Sequence, residues 1–360
     1  VIGTVASQSG PFASAGVGIN EFEQAWAKWV NTEKGGINGH PVKVIVVDDA
    51  SAASAGVAAV QGLVNQDHVI ALVGGYATNS ETAFASYLQQ QKIPDIGSAP
   101  YTPAWTQNPV FYPVTMTVPD SLYSKASLAK QEGAKHWGAL VCAESPACDV
   151  SAQWAAESKT LGLPYAGALK VSASAASYTA ECLNMMQQHV DYVQIGDAPA
   201  VVDRVIQNCQ QQGYNPKYGV TTVAWDPSFL KLGNVSIYGD SFAMPWFIRD
   251  SATANFDHIA STYIHDNSWQ GSQVAATFSA LEVFRQAMST VTAAHPTGVD
   301  VMRAMTTLHD DNLGGLLANS IGGYNAGTGP QPALKCFFVA EITGGHESAP
   351  NGVKPVCNPS

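Results

Sequence analysis

The residues best suited to chemistry in this chain are short, polar and gathered at one kind of place. Thr78-Asn79-Ser80-Glu81 opens a helical stretch just after an apolar run at residues 69–73 and the pair Gly74-Gly75. Small side chains permit close approach, hydroxyls donate, and a helix start turns unpaired N–H groups toward an anion. That pattern suits capture of a carboxylate. The competing reading is a plain helix cap, with Thr78 or Ser80 serving the first turn. Ser9 stands in a comparable turn, Ser7-Gln8-Ser9-Gly10-Pro11-Phe12. Phe12, Tyr76, Tyr101, Trp105 and Trp225 all fall just past apolar runs. Exposed rings there would bury the body of a small solute; packing under loops is the other fate open to each. Asp149 and Asp197 are acids in similar positions and could pair with a ligand ammonium. Asp149 could instead cap the helix expected at 151–161.

Catalytic constellations are missing from the sequence. It contains no G-x-S-x-G, H-E-x-x-H or P-loop pattern. The nine histidines are scattered, and Gly16-Val17-Gly18 lacks the third glycine of a dinucleotide fingerprint. No cluster of His, Cys or carboxylates has metal-ligand spacing. The expectation is a protein with no catalytic residues, no metal and no cofactor.

The elements that must position the polar turns follow from alternation. Apolar runs at 1–6, 42–47 and 69–73 each lead through a small polar turn into an amphipathic stretch. A second set follows, with strands expected at 136–141, 165–171, 192–195 and 218–222 and helices at 151–161, 177–189 and 199–212. Strand, turn and helix in succession specify a parallel sheet covered by helices, and in such sheets ligands sit at the carboxyl ends of strands. The fold class expected is α/β, with two doubly wound parallel-sheet lobes. Proline-bounded stretches at 111–120 and 241–246, and a third near 322–325, read as passages between the lobes. Helices at 253–266, 272–291 and 299–308 meet no new strands and are expected to complete the first lobe, before a strand at 334–342. The first lobe is then residues 1–118 with 245–324, and the second 119–244 with 325–360.

Composition bounds the partners. A chain of 360 residues exceeds the size at which one core stops growing. Seventeen Lys and Arg against twenty-eight Asp and Glu leave a net charge of −11, which argues against nucleic acid or an anionic membrane as a partner. Charged residues are only 12 %, and a surface of neutral polar residues fits a secreted protein. Six cysteines form no C-x-x-C. Nearest-neighbour pairing would join Cys142 to Cys148, Cys182 to Cys209 and Cys336 to Cys357, one of fifteen possible sets; six buried free thiols are the alternative. Disulfides would place the chain in an oxidising compartment. With a strand beginning at Val1, a leader is expected to have been removed, with a lipid anchor on a lost cysteine as a further expectation.

Several short motifs in order and spacing carry a resemblance. They are Ser9-Gly10-Pro11 with Gly16 after it, Lys34-Gly35-Gly36-Ile37-Asn38-Gly39, Asp48-Asp49-Ala50, Gly74, Ile93-Pro94 and Ser98-Ala99-Pro100. Together they resemble the solute-binding proteins of ABC transporters that take branched-chain amino acids and related compounds. The resemblance covers nearly the whole chain. It implies the type I periplasmic binding protein fold, crossed three times between lobes, and an extracellular or periplasmic monomer. Such a protein captures a small amino acid or carboxylate by hinge closure and presents it to a membrane permease. It also implies that the loop Ala77-Thr78-Asn79 holds a carboxylate, that Ser98 and Ala99 add a backbone contact, and that Asp48 and Asp49 are structural. Three positions depart from the family pattern: Tyr101 replaces a usual small hydroxyl residue, Asp197 a tyrosine, and Thr222 the acid that often anchors an ammonium. A ligand without an amine, such as an aromatic or aliphatic carboxylate, therefore stays open. So do a sensor of the same fold feeding a regulator, and an extracellular hydrolase.

Overall fold

In a computed structural model the described residues are 1–97, 99–221, 224–241 and 243–359. Five strands form a wholly parallel sheet in the order β2-β1-β3-β4-β5: β1 (Ile2–Ala6), β2 (Val44–Asp48), β3 (Leu72–Val73), β4 (Asp95–Gly97) and β5 (Phe111–Pro113). The helices between them are α1 (Ala13–Gly16), α2 (Ile19–Glu33), α3 (Ala53–Asn65), α4 (Glu81–Gln91) and α5 (Ala104–Gln107). Strand β1 is buried at every residue, as a parallel strand covered on both faces must be.

The chain then enters α6 (Val118–Gln131), and β6 (Trp137–Cys142), α7 (Ser151–Leu161), β7 (Tyr165–Val171), α8 (Thr179–Gln187), β8 (Tyr192–Gly196), α9 (Pro199–Gln211), β9 (Lys217–Thr221) and β10 (Ser236–Ser241) follow. Next come α10 (Ala254–Tyr263), α11 (Ser272–Met288) and α12 (Gly298–Met305), then β11 (Cys336–Thr343), β12 (His346–Ser348) and β13 (Val356–Cys357). The second sheet runs β12-β11-β10-β9-β8-β6-β7, with β13 on β11. Strands β6 to β10 are parallel, while β11 runs antiparallel to β10. Helix α11, buried almost all round, lies against α2, β3 and β4 of the first sheet. The polypeptide thus passes between the sheets three times: after β5, after β10, and before β11.

Most expected elements stand within a few residues of their places, and the exceptions have causes. The run at 69–73 yields only the two-residue β3, which ends where Gly74 and Gly75 both take positive φ, 70° and 91°. A Cβ on Gly75 would lie 2.3 Å from the Val5 carbonyl oxygen, so only glycine lets the chain step aside there. Pairing then resumes, with Tyr76 N–H donating to Val5 O at 3.0 Å and Ser7 N–H to Tyr76 O at 2.8 Å. Strand β10 was not legible because Ser236-Ile237-Tyr238-Gly239-Asp240-Ser241 has no apolar run; β9 and β11 hold it extended from both sides. Strands β12 and β13 likewise exist through their pairing with β11.

The cysteines form Cys142–Cys148, Cys182–Cys209 and Cys336–Cys357. Cys182 and Cys209 are fully buried and join α8 to α9. They close a loop of sequence separation 27, which restricts the unfolded chain by about 3.5 kcal/mol in the loop-entropy account. A Cys182→Ser/Cys209→Ser variant is expected to lose about that much stability in urea unfolding. A loss under about 1 kcal/mol would show that the staple constrains little that packing does not already hold.

Candidate functional site

The strand ends of the first sheet are tied together by two carboxylates. Asp49 is fully buried. Its Oδ1 accepts from Ser7 Oγ at 2.7 Å and from Ser51 N–H at 2.8 Å, and its Oδ2 from Ser80 Oγ at 2.6 Å. Asp48 accepts from Gln8 N–H at 2.9 Å, Ala50 N–H at 2.8 Å and Ser9 Oγ at 2.6 Å. The turns after β1, β2 and β3 are thereby set beside one another. Ser80 stands at the N-cap of α4, yet its hydroxyl donates to Asp49, with Ala77 O its other acceptor within reach at 3.2 Å, instead of serving the first turn. The Thr78 hydroxyl is bonded to that of Tyr76, whose phenol burial pushes up, keeping it protonated. Thr78 and Ser80 are therefore not plain caps.

Behind this wall lies a water-sized void of about 10 Å³, lined among others by Ala77, Glu81, Asp95, Ala99 and Trp105. Glu81 Oε2 accepts from Trp105 Nε1 and Thr102 Oγ1, both at 2.9 Å. Burial pushes the Glu81 carboxyl up to about 7, against the pull of those two bonds. Burial, with Glu81 beside it, holds Asp95 well above the usual range as well. Trp105 is thus part of the packing, closing against Gly97, where a Cβ would meet the indole at 1.7 Å.

In front of the wall is a cavity of about 90 Å³, room for several waters or a small organic solute. The first sheet contributes Phe12, Tyr76, Thr78 and Tyr101; Phe12 meets Tyr76 edge-on at 6.3 Å. The second contributes Asp197 at the end of β8, Val141 at the end of β6, and Ser145, Val150 and Trp154 beyond it. Helix α6 closes the side with Val118, Ser121, Leu122 and Lys125. Spacing of three and four residues puts these on one helical face. Lys125 is buried, its Nζ 2.9 Å from Asp240 Oδ2 and 2.8 Å from Ser121 Oγ.

Asp197 is the most unusual group here. It is 4 % exposed. Its Oδ1 accepts from Ala198 N–H at 2.7 Å, while Oδ2 is buried with no partner among the described residues. Burial pushes its carboxyl up to about 7; the Ala198 N–H opposes this, Glu144 adds to it, and Arg204 opposes it more weakly. Arg204 is committed elsewhere, to the carbonyls of Ala173 and Ala175 and the Tyr178 hydroxyl.

Of the residues singled out by sequence, Phe12, Tyr76, Thr78, Tyr101 and Asp197 line this cavity, and Ala77 and Ala99 lie in the layer behind it. Ser9 is turned away toward Asp48. Asp149 does not line the cavity: its side chain is 67 % exposed and sits 3.7 Å from Lys170 Nζ. Nor does Trp225, which stacks on Phe247, donates to Glu347 Oε1 at 2.5 Å and borders a separate groove with Ser14 and Gln273. Ser98 and Thr222 lie outside the described residues. The α6 face and Trp154 were missed. The available signal was Lys125, a charge set among Leu122, Ala126, Leu128 and Ala129.

The two sheets also touch at the mouth. Ala200 N–H donates to Ser14 Oγ at 3.4 Å and Ser272 N–H to Trp225 O at 3.3 Å.

The sequence profile of the family described as periplasmic binding protein matches residues 1–346. No curated protein matches the sequence. Among solved structures, a substrate-binding protein of an ABC transporter from Aeropyrum pernix superposes with a TM-score of 0.84 at 18 % identity, covering 100 % of this chain and 96 % of its own. A branched-chain amino acid ABC transporter protein from Thermus thermophilus with bound valine gives 0.81 at 17 %, covering 99 % and 96 %. A solute-binding protein from Rhodopseudomonas palustris HaA2 in complex with p-hydroxybenzoic acid gives 0.79 at 16 %, covering 99 % and 96 %. At such identities the similarity concerns the fold.

Proposed function

The chain belongs to the periplasmic binding protein family, and from that premise we propose that it is the extracellular substrate-binding protein of an ABC importer. The lobes, taken as residues 1–118 with 245–324 and 119–244 with 325–360, close over a small carboxylate by hinge motion, and a permease reads the closed form. The carboxylate is held by the Thr78 hydroxyl and backbone N–H groups of the loops at Ala77 and Ala99. The body packs against Phe12 and Tyr101, and Asp197 takes a donor from the ligand. The ligand favours the closed form only by its differential affinity for it.

The observation that carries this reading is one cavity walled by the carboxyl ends of both sheets, with a buried carboxylate oxygen of Asp197 left unpaired inside it. An amino acid supplies the missing donor as an ammonium. A second reading, an aromatic or aliphatic carboxylate with a hydroxyl in place of the amine, is favoured by the apolar and aromatic character of the walls. Mass spectrometry of co-purifying solute, followed by a thermal-shift screen of amino acids, amides and aromatic acids, tests both. Stabilisation by none of them counts against the reading, and turnover of an ester or amide panel would move the protein to another class.

A further inference from the structure

The cavity does not end at the strand ends. It continues between α6 and α7, where Val118 and Leu122 line one side and Val150 and Trp154 the other. Each pair is spaced by four residues and so shares one helical face. An arm built only to exclude water would need nothing polar. Trp154 is 2 % exposed, and its Nε1–H has no acceptor among the described residues. Other buried tryptophans are provided for: Trp26 donates to Glu282, Trp105 to Glu81 and Trp137 to Ser158. Trp137 lies edge-on to Trp154 at 5.6 Å, so neighbouring indoles in one layer differ in just this respect.

The arm's own polar groups do not supply the acceptor. Lys125 brings only donors, which it gives to Ser121 and Asp240. Ser145 Oγ accepts from Ala147 N–H. A buried donor without a partner is costly to leave in place. Together with Asp197 Oδ2, the residues lining the cavity carry one orphan donor and one orphan acceptor among the described residues.

Resting on the reading of this cavity as the ligand site, we infer that Trp154 is a specificity-determining residue that donates its indole N–H to an oxygen at the end of the solute remote from its carboxylate. The class of ligand is then a small carboxylic acid whose apolar ring or chain ends in a hydroxyl, ether or carbonyl oxygen. Val118, Leu122 and Val150 enclose the apolar middle. A hydrocarbon end would fill the same space and leave the indole unpaired, so the site discriminates against it.

Titration calorimetry with a matched pair of probes, 4-hydroxybenzoate and benzoate, tests this. The whole protein is expected to bind the hydroxylated acid about tenfold more tightly, the worth of one buried hydrogen bond. Trp154→Phe, which keeps an aromatic ring and removes the N–H, is expected to bring the two affinities together. The ratio within each protein cancels any general loosening caused by the smaller ring. Equal binding by the unaltered protein, or a preference that survives in Trp154→Phe, overturns the inference. Should the variant not fold, the unaltered protein labelled with ¹⁵N decides. The assigned Trp154 indole resonance moves with 4-hydroxybenzoate and not with benzoate, and a resonance indifferent to both overturns the inference. If valine or leucine binds while neither benzoate does, the inference falls and the receptor reading stands. If no amino acid or carboxylate binds, both fall.

Discussion

Replacing Asp197 with asparagine is expected to make the empty protein close at pH 8. The carboxylate lines the cavity between the two sheets, and one of its oxygens is buried without a partner among the described residues. In an open cleft water solvates that oxygen and the group ionises in the ordinary range. Closure removes the water, and burial pushes the carboxyl up to about 7 from 3.8. The sign follows: a raised acid favours its protonated form, so the empty closed state is least penalised below about pH 4. It becomes harder to reach as pH rises to about 7, and the penalty is constant above that. The shift corresponds to about 4 kcal/mol at pH 8, a factor on the order of 10³ in the open–closed equilibrium. On the proposed reading a ligand ammonium or hydroxyl at Asp197 would offset this penalty, so that closure would wait for the solute.

The amide of an Asp197→Asn variant carries no charge to desolvate. Small-angle scattering or a fluorescence pair across the lobes is expected to show this variant compact without ligand at pH 8. The unaltered protein is expected to be open at pH 8 and to become more compact toward pH 5. The groups around Asp197 are Glu144, Arg204, Tyr76 and Tyr178. Glu81 also titrates near 7, so the difference between the two proteins, with Glu81→Gln as a control, isolates the Asp197 contribution. Indistinguishable radii across this range would remove Asp197 from the closing mechanism.

Asp49→Ala should damage the first sheet more than any other single change near the cavity. Ser7 Oγ and Ser51 N–H lose their acceptor at once, and Ser80 Oγ is left with only Ala77 O at 3.2 Å. Each buried donor left unpaired costs roughly 1–3 kcal/mol, so a loss of about 4 kcal/mol or more is expected in urea unfolding. Asp49→Asn keeps one acceptor oxygen and should fall between. The consequences reach the site, because Ser7 leads to Phe12, and Ser80 ends the loop that carries Tyr76 and Thr78. Ligand affinity should therefore drop even at temperatures where the variant remains folded. A stability loss below about 1 kcal/mol would mean that water substitutes for the carboxylate and that the turns hold themselves.

The two carboxylates illustrate how far the sequence can be read. Their place after an apolar run was legible from the residues themselves, and their structural role only from what the family resemblance implied for Asp48-Asp49-Ala50. So was the parallel α/β plan, since burial on both faces demands continuous apolar strands such as Trp137–Cys142. Strand ends name where a cleft can form, and Phe12, Tyr76, Thr78, Tyr101 and Asp197, singled out by that rule, line the cavity. Ser9, Asp149 and Trp225 satisfied the same rule and face elsewhere, because a position past a strand end does not say which way a side chain turns.

Local signals alone thus determined most of the element order, the two sheets and the polar turns at their strand ends. All of these follow from periodicity and turn chemistry within some thirty residues. Tertiary packing decided the rest. Which cysteines join depended on α8 lying beside α9, and Ser236–Ser241 became a strand because its neighbours hydrogen-bond to it. The cavity gained its third wall from α6, and Asp197 and Trp154 lost water without gaining partners. Burial and unpaired hydrogen-bonding groups are properties of distant segments meeting, and no window of sequence contains them.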